Sequence, residues 1–252
     1  MSIELDELDT VVQDTVARLY HRYHIQLRTK PLVSSCVVKN LRKSIREINH
    51  LDPETILPRA RSVIVVAVPH SVDAILRNAR EKEIALSYAR EYVLLNKVLK
   101  QLLHILSNYL RARGYEAAVP EVTLHGTVHS NWSHRYIAYL AGLGTLGKHR
   151  LIITKIGCSV RLGTLVTTAR VRPSGEPIKE EYCLAKRGIE CSACIERCPL
   201  NALKNWEKGG REKCFRMLQE VSRTYKKLLK VEEEVDCCGK CMSNLVCSFK
   251  PP

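Results

Sequence analysis

Nine of the eleven cysteines of this chain fall between residues 183 and 247. The densest run, Cys191-Ser-Ala-Cys194-Ile-Glu-Arg-Cys198-Pro199, matches the last three ligands and the proline of the bacterial ferredoxin pattern C-x2-C-x2-C-x3-C-P. The spacing has a mechanical reason. A tight turn brings closely spaced thiolates onto one cubane, while the cysteine ahead of the proline turns away to the neighbouring cluster. The first cysteine of the pattern would fall at Gly188, and Cys183 is placed to loop in for it. Downstream, Cys237-Cys238-Gly-Lys-Cys241 and Cys247 supply another C-x2-C pair and a late ligand, with Cys214 between the two halves. The crossed logic of two-cluster ferredoxins assigns Cys183, Cys191, Cys194 and Cys247 to one [4Fe–4S] cluster, and Cys198, Cys214, Cys238 and Cys241 to the other. Cys237 is left over, an alternative to Cys238 or Cys183 as ligand. Structural zinc also uses C-x2-C pairs, but it asks for two knuckles at a defined separation and leaves Cys198-Pro199 unexplained. Cys36 and Cys158, set among valines, isoleucine and small residues, read as buried thiols.

A second group of residues points to anion binding. No acidic residue occurs between Glu121 and Glu176, yet that stretch carries Arg135, Lys148, Arg150, Lys155, Arg161, Arg170 and Arg172, with His125, His129, His134 and His149. Such a stretch suits a pocket for phosphate, carboxylate or nucleic-acid groups. Within it, Gly142-Leu-Gly144-Thr-Leu-Gly147-Lys148 matches G-x-G-x-x-G. The context of a dinucleotide site is missing, because a helical pattern rather than a strand precedes it and no acid follows to hold a ribose. His125, His129 and His134 read as polar loop residues rather than as a mononuclear metal site.

The elements that must position these groups are legible from periodicity. Leu8, Val11, Val12, Val16, Leu19 and Tyr20 predict an amphipathic helix over about residues 5–23. Residues 62–69, a continuous β-branched run stopped by Pro69, predict a buried strand. The stripe Tyr88, Tyr92, Leu95, Leu99, Leu102, Leu103, Leu106 and Leu110 predicts a long helix over 87–113 whose tyrosines and leucines pack in the core, ended by Gly114. Residues 133–141 read as a helix, and residues 151–154 and 163–169 as strands. This mixture predicts an α/β (α+β) first domain over residues 1–172. A turn-rich Pro173-Ser-Gly-Glu-Pro177 separates it from a small ferredoxin-like domain over residues 173–252.

Composition bounds the rest. The 252 residues hold 40 Lys+Arg against 26 Asp+Glu, a formal charge of +14, with 45% hydrophobic residues. Disordered, collagen-like and low-complexity classes are excluded. The acidic start of the chain has no apolar signal region, and no apolar run approaches the ~20 residues of a membrane span. A soluble, cytoplasmic protein with no membrane partner is expected, and clustered cysteines in such a chain point to metal or redox chemistry rather than disulfides. Two oxidised cubanes with their thiolates would bring the charge down to roughly +10, still basic enough for an anionic partner.

Residues 133–148, ending in Ala141-Gly142-Leu-Gly144-Thr-Leu-Gly147-Lys148, together with Leu151-Ile-Ile-Thr154 and Val160-Arg-Leu-Gly-Thr-Leu-Val-Thr-Thr168, resemble the core of epoxyqueuosine reductase and its reductive-dehalogenase-like relatives. Residues 57–69 resemble that family's first core strand, and the cysteine block resembles its C-terminal iron–sulfur domain. The resemblance implies a cobalamin-binding-like domain followed by a ferredoxin-like domain with two [4Fe–4S] clusters. It also implies that Gly142, Gly144 and Gly147 approach the cofactor, with Lys148, Arg150 and Arg161 binding anionic groups. Two departures stand out. The family's longer members carry a helical-repeat tail, and they place an aspartate general acid ahead of the glycine segment, where this chain has His129, Ser130 and Asn131.

The expectation is therefore an iron–sulfur oxidoreductase that relays electrons from an external low-potential donor to a cobalamin in a basic pocket, with His129 or His134 as proton donor. A flavin, or no organic cofactor, is the alternative occupant. The substrate would be an anionic small molecule or a tRNA. Two other classes compete: an electron-transfer subunit without its own substrate, and a tRNA binder whose clusters are structural.

Overall fold

The β-branched run at residues 62–69 becomes the centre of the molecule. In a computed structural model, which describes residues 2–47, 50–121 and 130–252, all eight residues of that run are buried. The elements in chain order are β1 (Ser2–Glu4), α1 (Leu5–Arg22), β2 (Leu32–Val37), α2 (Val38–Glu47), α3 (Pro53–Ile56), β3 (Ser62–Pro69), α4 (Val72–Arg80) and α5 (Leu86–Arg111). They continue with β4 (Ala117–Ala118), α6 (His134–Leu140), β5 (Gly144–Leu146), β6 (Ile152–Thr154), β7 (Val160–Thr167), β8 (Arg170–Arg172), α7 (Ala193–Glu196) and α8 (Arg211–Leu229). The main sheet runs β2-β3-β7-β4, antiparallel throughout. β1 pairs parallel with β8, and β5 pairs with β6 in a hairpin.

β3 has no polar face because both of its faces are covered. Ile64, Val66 and Val68 meet α1 and α5 through Val12, Val16, Leu99, Leu102 and Leu106. Val63, Val65 and Ala67 meet α2 and α6 through Leu41, Ile45, Ile137 and Ala138. An antiparallel sheet usually leaves one side wet; here helices close both, which explains a run that reads like a parallel-sheet strand. The predicted helices at both ends of the stripe pattern form as α1 and α5, and the expected third strand begins three residues earlier than predicted, at Val160. Among the described residues, no helix is long and apolar enough to cross a membrane.

The cysteine-rich segment packs onto α4, the first turns of α5 and β6. Ile75, Tyr88, Tyr92 and Ile153 share one apolar cluster with Cys183, Val235, Cys237, Met242 and Cys247. Backbone bonds fasten it: Cys158 N–H donates to Cys247 O at 2.8 Å, and Ser159 N–H to Ser248 O at 3.0 Å. Asn78 Nδ2 donates to Cys238 O at 2.9 Å and to Ser243 Oγ at 3.0 Å. Lys240 is buried, and its ammonium donates to Asn78 O, Glu81 O and Glu83 O at 2.7, 2.7 and 2.6 Å. Every ammonium proton thus meets a carbonyl at or just beyond the C-terminal end of α4, where helical carbonyls lack partners.

Candidate functional site

The thiols of the cysteine-rich segment fall in two sets that approach each other through Cys194 and Cys241. Cys183 precedes a 3-10 turn that closes at Gly188, and the chain then returns to Cys191 and to Cys194 in α7. These three line, with Cys247, a cavity of about 350 Å³ that Lys148, His149 and Ile153 also border. The thiol of Cys194 has Cys247, Cys183 and Cys191 as electrostatic neighbours, and burial followed by their repulsion pushes it up to about 11. Cys214, on α8, has Cys238 and Cys198 as neighbours and is likewise pushed up to about 11. Cys241 has Cys238, Cys214, Cys198 and also Cys194 as neighbours, and burial, ahead of their repulsion, drives its pKa upward too. Cys237 is 2% exposed and neighbours both Cys238 and the α5 tyrosines, with burial, then Cys238, raising it to about 12. Buried thiols that repel one another as anions form a donor set that a soft polynuclear cation stabilises, so both groups fit iron–sulfur ligation.

Cys247 differs from the other buried thiols. Its Sγ lies 3.8 Å from Cys158 Sγ and 3.7 Å from His149 Nε2, all three residues being buried. The hydrogen bond from Cys158, helped by the one from His149, holds Cys247 well below the usual thiol range against the opposing effect of burial. Cys158 is driven well above that range, chiefly by the same hydrogen bond and by burial. Cys247 is thus the thiolate of the pair, the form that binds metal.

A second, open-sided cavity of about 890 Å³ lies beside α6, between β7 and the cysteine loops. Its basic wall carries His134, Arg135 and Arg161; Cys158 and Met242 stand on the side of the thiols. Arg161 is fixed by Asn96 Oδ1, at 3.2 Å from Nε and 2.6 Å from Nη2, and lies 4.1 Å over the Tyr92 ring. Tyr92 donates to Asp236 at 2.8 Å. Tyr88, another wall residue, stacks on buried His70 at 5.1 Å, and His70 Nδ1 is 2.9 Å from Glu91. The indole of Trp132 donates to Thr164 Oγ1 at 3.0 Å, and His134 Nδ1 lies 2.9 Å from the same oxygen. The indole can only donate, so Thr164 Oγ1 accepts from it while also bonding the His134 ring. Burial, with Arg161 adding to it, lowers His134 to about 4. Apolar walls and a few fixed polar groups give this cavity the character of a binding site.

Comparison with known proteins bears on this arrangement. No family model matches the chain. The epoxyqueuosine reductase of Staphylococcus aureus is 26% identical over 178 residues, covering 68% of this chain and 43% of that protein. The Bacillus subtilis enzyme is 24% identical over 227 residues, 87% of this chain and 53% of its own length. The chain is similar in sequence to curated epoxyqueuosine reductases. It spans about half the length of the curated relatives it matches. Solved structures agree in fold: that of the Streptococcus thermophilus epoxyqueuosine reductase superposes with a TM-score of 0.52 at 19% identity, covering 96% of this chain and 68% of that one. The Bacillus subtilis reductase, captured with its catalytic aspartate loop swung out of the active site, gives 0.53 at 16% identity, with 95% and 66% covered. A reductive dehalogenase described as B12-dependent gives 0.50 at 16% identity, over 74% of this chain and 25% of that one.

Against this relationship, the residues singled out by sequence fall in different places. His134 and Arg161 face the larger cavity, and Lys148 borders the smaller, thiol-lined one. Arg150 turns away from both, pairing with Glu207 at 2.9 Å and lying 5.8 Å from the Trp206 ring. The glycine segment borders neither cavity among the described residues. A Cβ at Gly142 would lie 2.3 Å from Glu176 O, and one at Gly144 would lie 2.0 Å from Ile153 O. At Gly147 it would meet the His149 ring at 2.6 Å. These glycines admit backbone and an imidazole rather than a cofactor, which corrects the expectation drawn for them. His125 and His129 lie outside the described residues. Trp132 and Met242 on the wall, and Asn96 and Thr164 behind it holding Arg161, Trp132 and His134, escaped sequence reading, since nothing in their spacing marks these places.

Proposed function

We propose that this chain is an iron–sulfur oxidoreductase built like the epoxyqueuosine reductases. Cys183, Cys191, Cys194 and Cys247 would hold one [4Fe–4S] cluster, and Cys198, Cys214, Cys238 and Cys241 a second. The larger cavity would take a cobalamin-type cofactor, with the substrate against it. One observation carries the reading. Eight thiols neighbour one another, and the cavity wall is built from Cys158, in contact with Cys247, and from Met242, next to Cys241. When bound, the clusters supply one-electron relay at low potential and a cobalamin supplies a strongly reducing centre.

The chain's own residues would do the following. Arg161, immobilised by Asn96 and Tyr92, presents a fixed positive charge to an anionic group in the cavity, at little ordering cost on binding. His134, held neutral at physiological pH by burial and Arg161, offers a hydrogen bond rather than a proton. Delivery of a proton is then assigned to His129. Lys148 places a cation beside the thiolates of the first group. An external low-potential donor supplies the electrons, and the +14 charge favours an anionic small molecule or a tRNA as substrate.

The test is an iron and acid-labile sulfide count on anaerobically purified protein, with absorption spectra before and after acid treatment. Close to eight irons and eight sulfides per chain are expected, with a broad shoulder that dithionite bleaches. Stoichiometric zinc without labile sulfide would end this reading.

A further inference from the structure

His149 and Cys158 are not cluster ligands in the assignment above, yet both close on the sulfur of Cys247. Leu151 N–H donates to His149 Nδ1 at 3.0 Å. A neutral imidazole that accepts at one nitrogen donates from the other, so its proton sits on Nε2, the atom 3.7 Å from Cys247 Sγ. Gly147 gives the ring its room, since a Cβ there would lie 2.6 Å from Cε1. On the other side, Cys158 Sγ is 3.8 Å from Cys247 Sγ, and the two backbones are joined by the 2.8 Å bond from Cys158 N–H to Cys247 O. A thiolate ligand has no proton to offer, so Cys158 must be the donor of that pair.

We propose that His149 and Cys158 are positioning residues that donate two hydrogen bonds to the Cys247 thiolate and so raise the reduction potential of the cluster it holds. The inference rests on Cys247 being a ligand of that cluster. Its physical basis is charge. One-electron reduction by the external donor adds a negative charge to the cluster and its sulfurs, and donors aimed at a ligand sulfur favour that state over the oxidised one. Both protons stay where they are, on Nε2 and Sγ; only the electron is gained. Cys158 also lines the larger cavity, so this cluster would hold its electron one side chain away from whatever the cavity binds.

Anaerobic holoprotein, titrated potentiometrically and followed by EPR, tests this with His149→Leu and Cys158→Ala. His149→Gln and Cys158→Ser serve as partners that keep a donor. Each donor-removing variant is expected to shift the oxidised-to-reduced ratio of this cluster at fixed potential by about tenfold toward oxidised, or ~59 mV. The other cluster's signal should hold, iron should stay near eight, and the donor-keeping variants should move back toward the parent protein. An unchanged ratio at full iron content would overturn the inference, as would an equal shift of both clusters or the loss of four irons on removing either donor. Absence of labile iron from the unsubstituted protein is a separate result, which removes the cluster reading and this inference with it.

Discussion

Replacing Lys240 by Met should unfasten the second thiol group from the body of the protein. The side chain is 5% exposed and lies between Cys238 and Cys241 in sequence, with its ammonium against Asn78 O, Glu81 O and Glu83 O. Methionine preserves the apolar stem and removes all three bonds. Hydrogen bonds to a charged group contribute ~1.5–3 kcal/mol each. Simple addition overshoots, because desolvating the ammonium has already offset several kcal/mol of that gain. Burial does disfavour the charged form here, lowering the pKa, while Cys238 partly opposes it. Removing one partner of a buried charged contact costs about 3–5 kcal/mol, and three carbonyls are left without donors. For a chain of this size that lowers the thermal midpoint by roughly 10 °C. The assay is anaerobic thermal unfolding of holoprotein at one scan rate, followed by circular dichroism, with iron counted beforehand. Iron should fall toward about four, with the loss tracking the cluster of Cys238 and Cys241. Lys240→Arg should fail as well, since a planar guanidinium does not present three donors to carbonyls converging on one point. A Lys240→Met protein with full iron and a midpoint within about 2 °C of the parent would refute this account.

Three more outcomes are expected. Because burial, then Arg161, lowers His134 from an ordinary 6.5 to about 4, the unfolded chain takes up a proton in that window that the folded chain does not. Stability should therefore fall as pH drops from 6.5 toward 4, by at most about 3 kcal/mol, and His134→Gln should flatten the thermal midpoint measured between pH 7 and 5. Cys198→Ser should erase the EPR signal of the cluster shared with Cys214, Cys238 and Cys241, although Cys198 is nearer in sequence to Cys194; loss of the other signal would show the partition to be mistaken. With no acid between Glu121 and Glu176, the purified chain should turn over epoxyqueuosine weakly or not at all when given cobalamin and a strong reductant. Robust turnover, measured by nucleoside chromatography, would contradict the reading of the missing aspartate.

Where a residue's surroundings are made by its own neighbours, the sequence was enough. The run at residues 62–69 announces a strand covered on both faces, and the leucine stripe announces α5, because each pattern records its burial directly. What could not be read depends on distant segments. Gly142 and Gly144 look like cofactor glycines until Glu176 and Ile153 are seen against them, and Gly147 until the His149 ring is placed. Cys158 reads as an inert buried thiol among small residues, since only folding brings Cys247 to it across the sheet. Tyr88 and Tyr92 follow helical spacing and do pack in the core, yet Tyr88 also walls the cavity and Tyr92 carries Arg161. A periodicity cannot separate those duties.

The shared apolar cluster that joins α4, α5 and β6 to the cysteine loops bears on how the protein is made. Cys183 and Cys247 close a long loop, as do Cys198 and Cys241, and the chain between them must be ordered before four sulfurs converge. Packing of residues 235–248 onto Tyr88, Tyr92 and Ile153 contributes to that order through apolar contact. Clusters held as proposed would act as further cross-links that narrow the unfolded ensemble. Folding and iron supply would then be coupled. A cell short of iron would register the shortage as faster turnover of this chain by proteases, well before any loss of its chemistry could be measured.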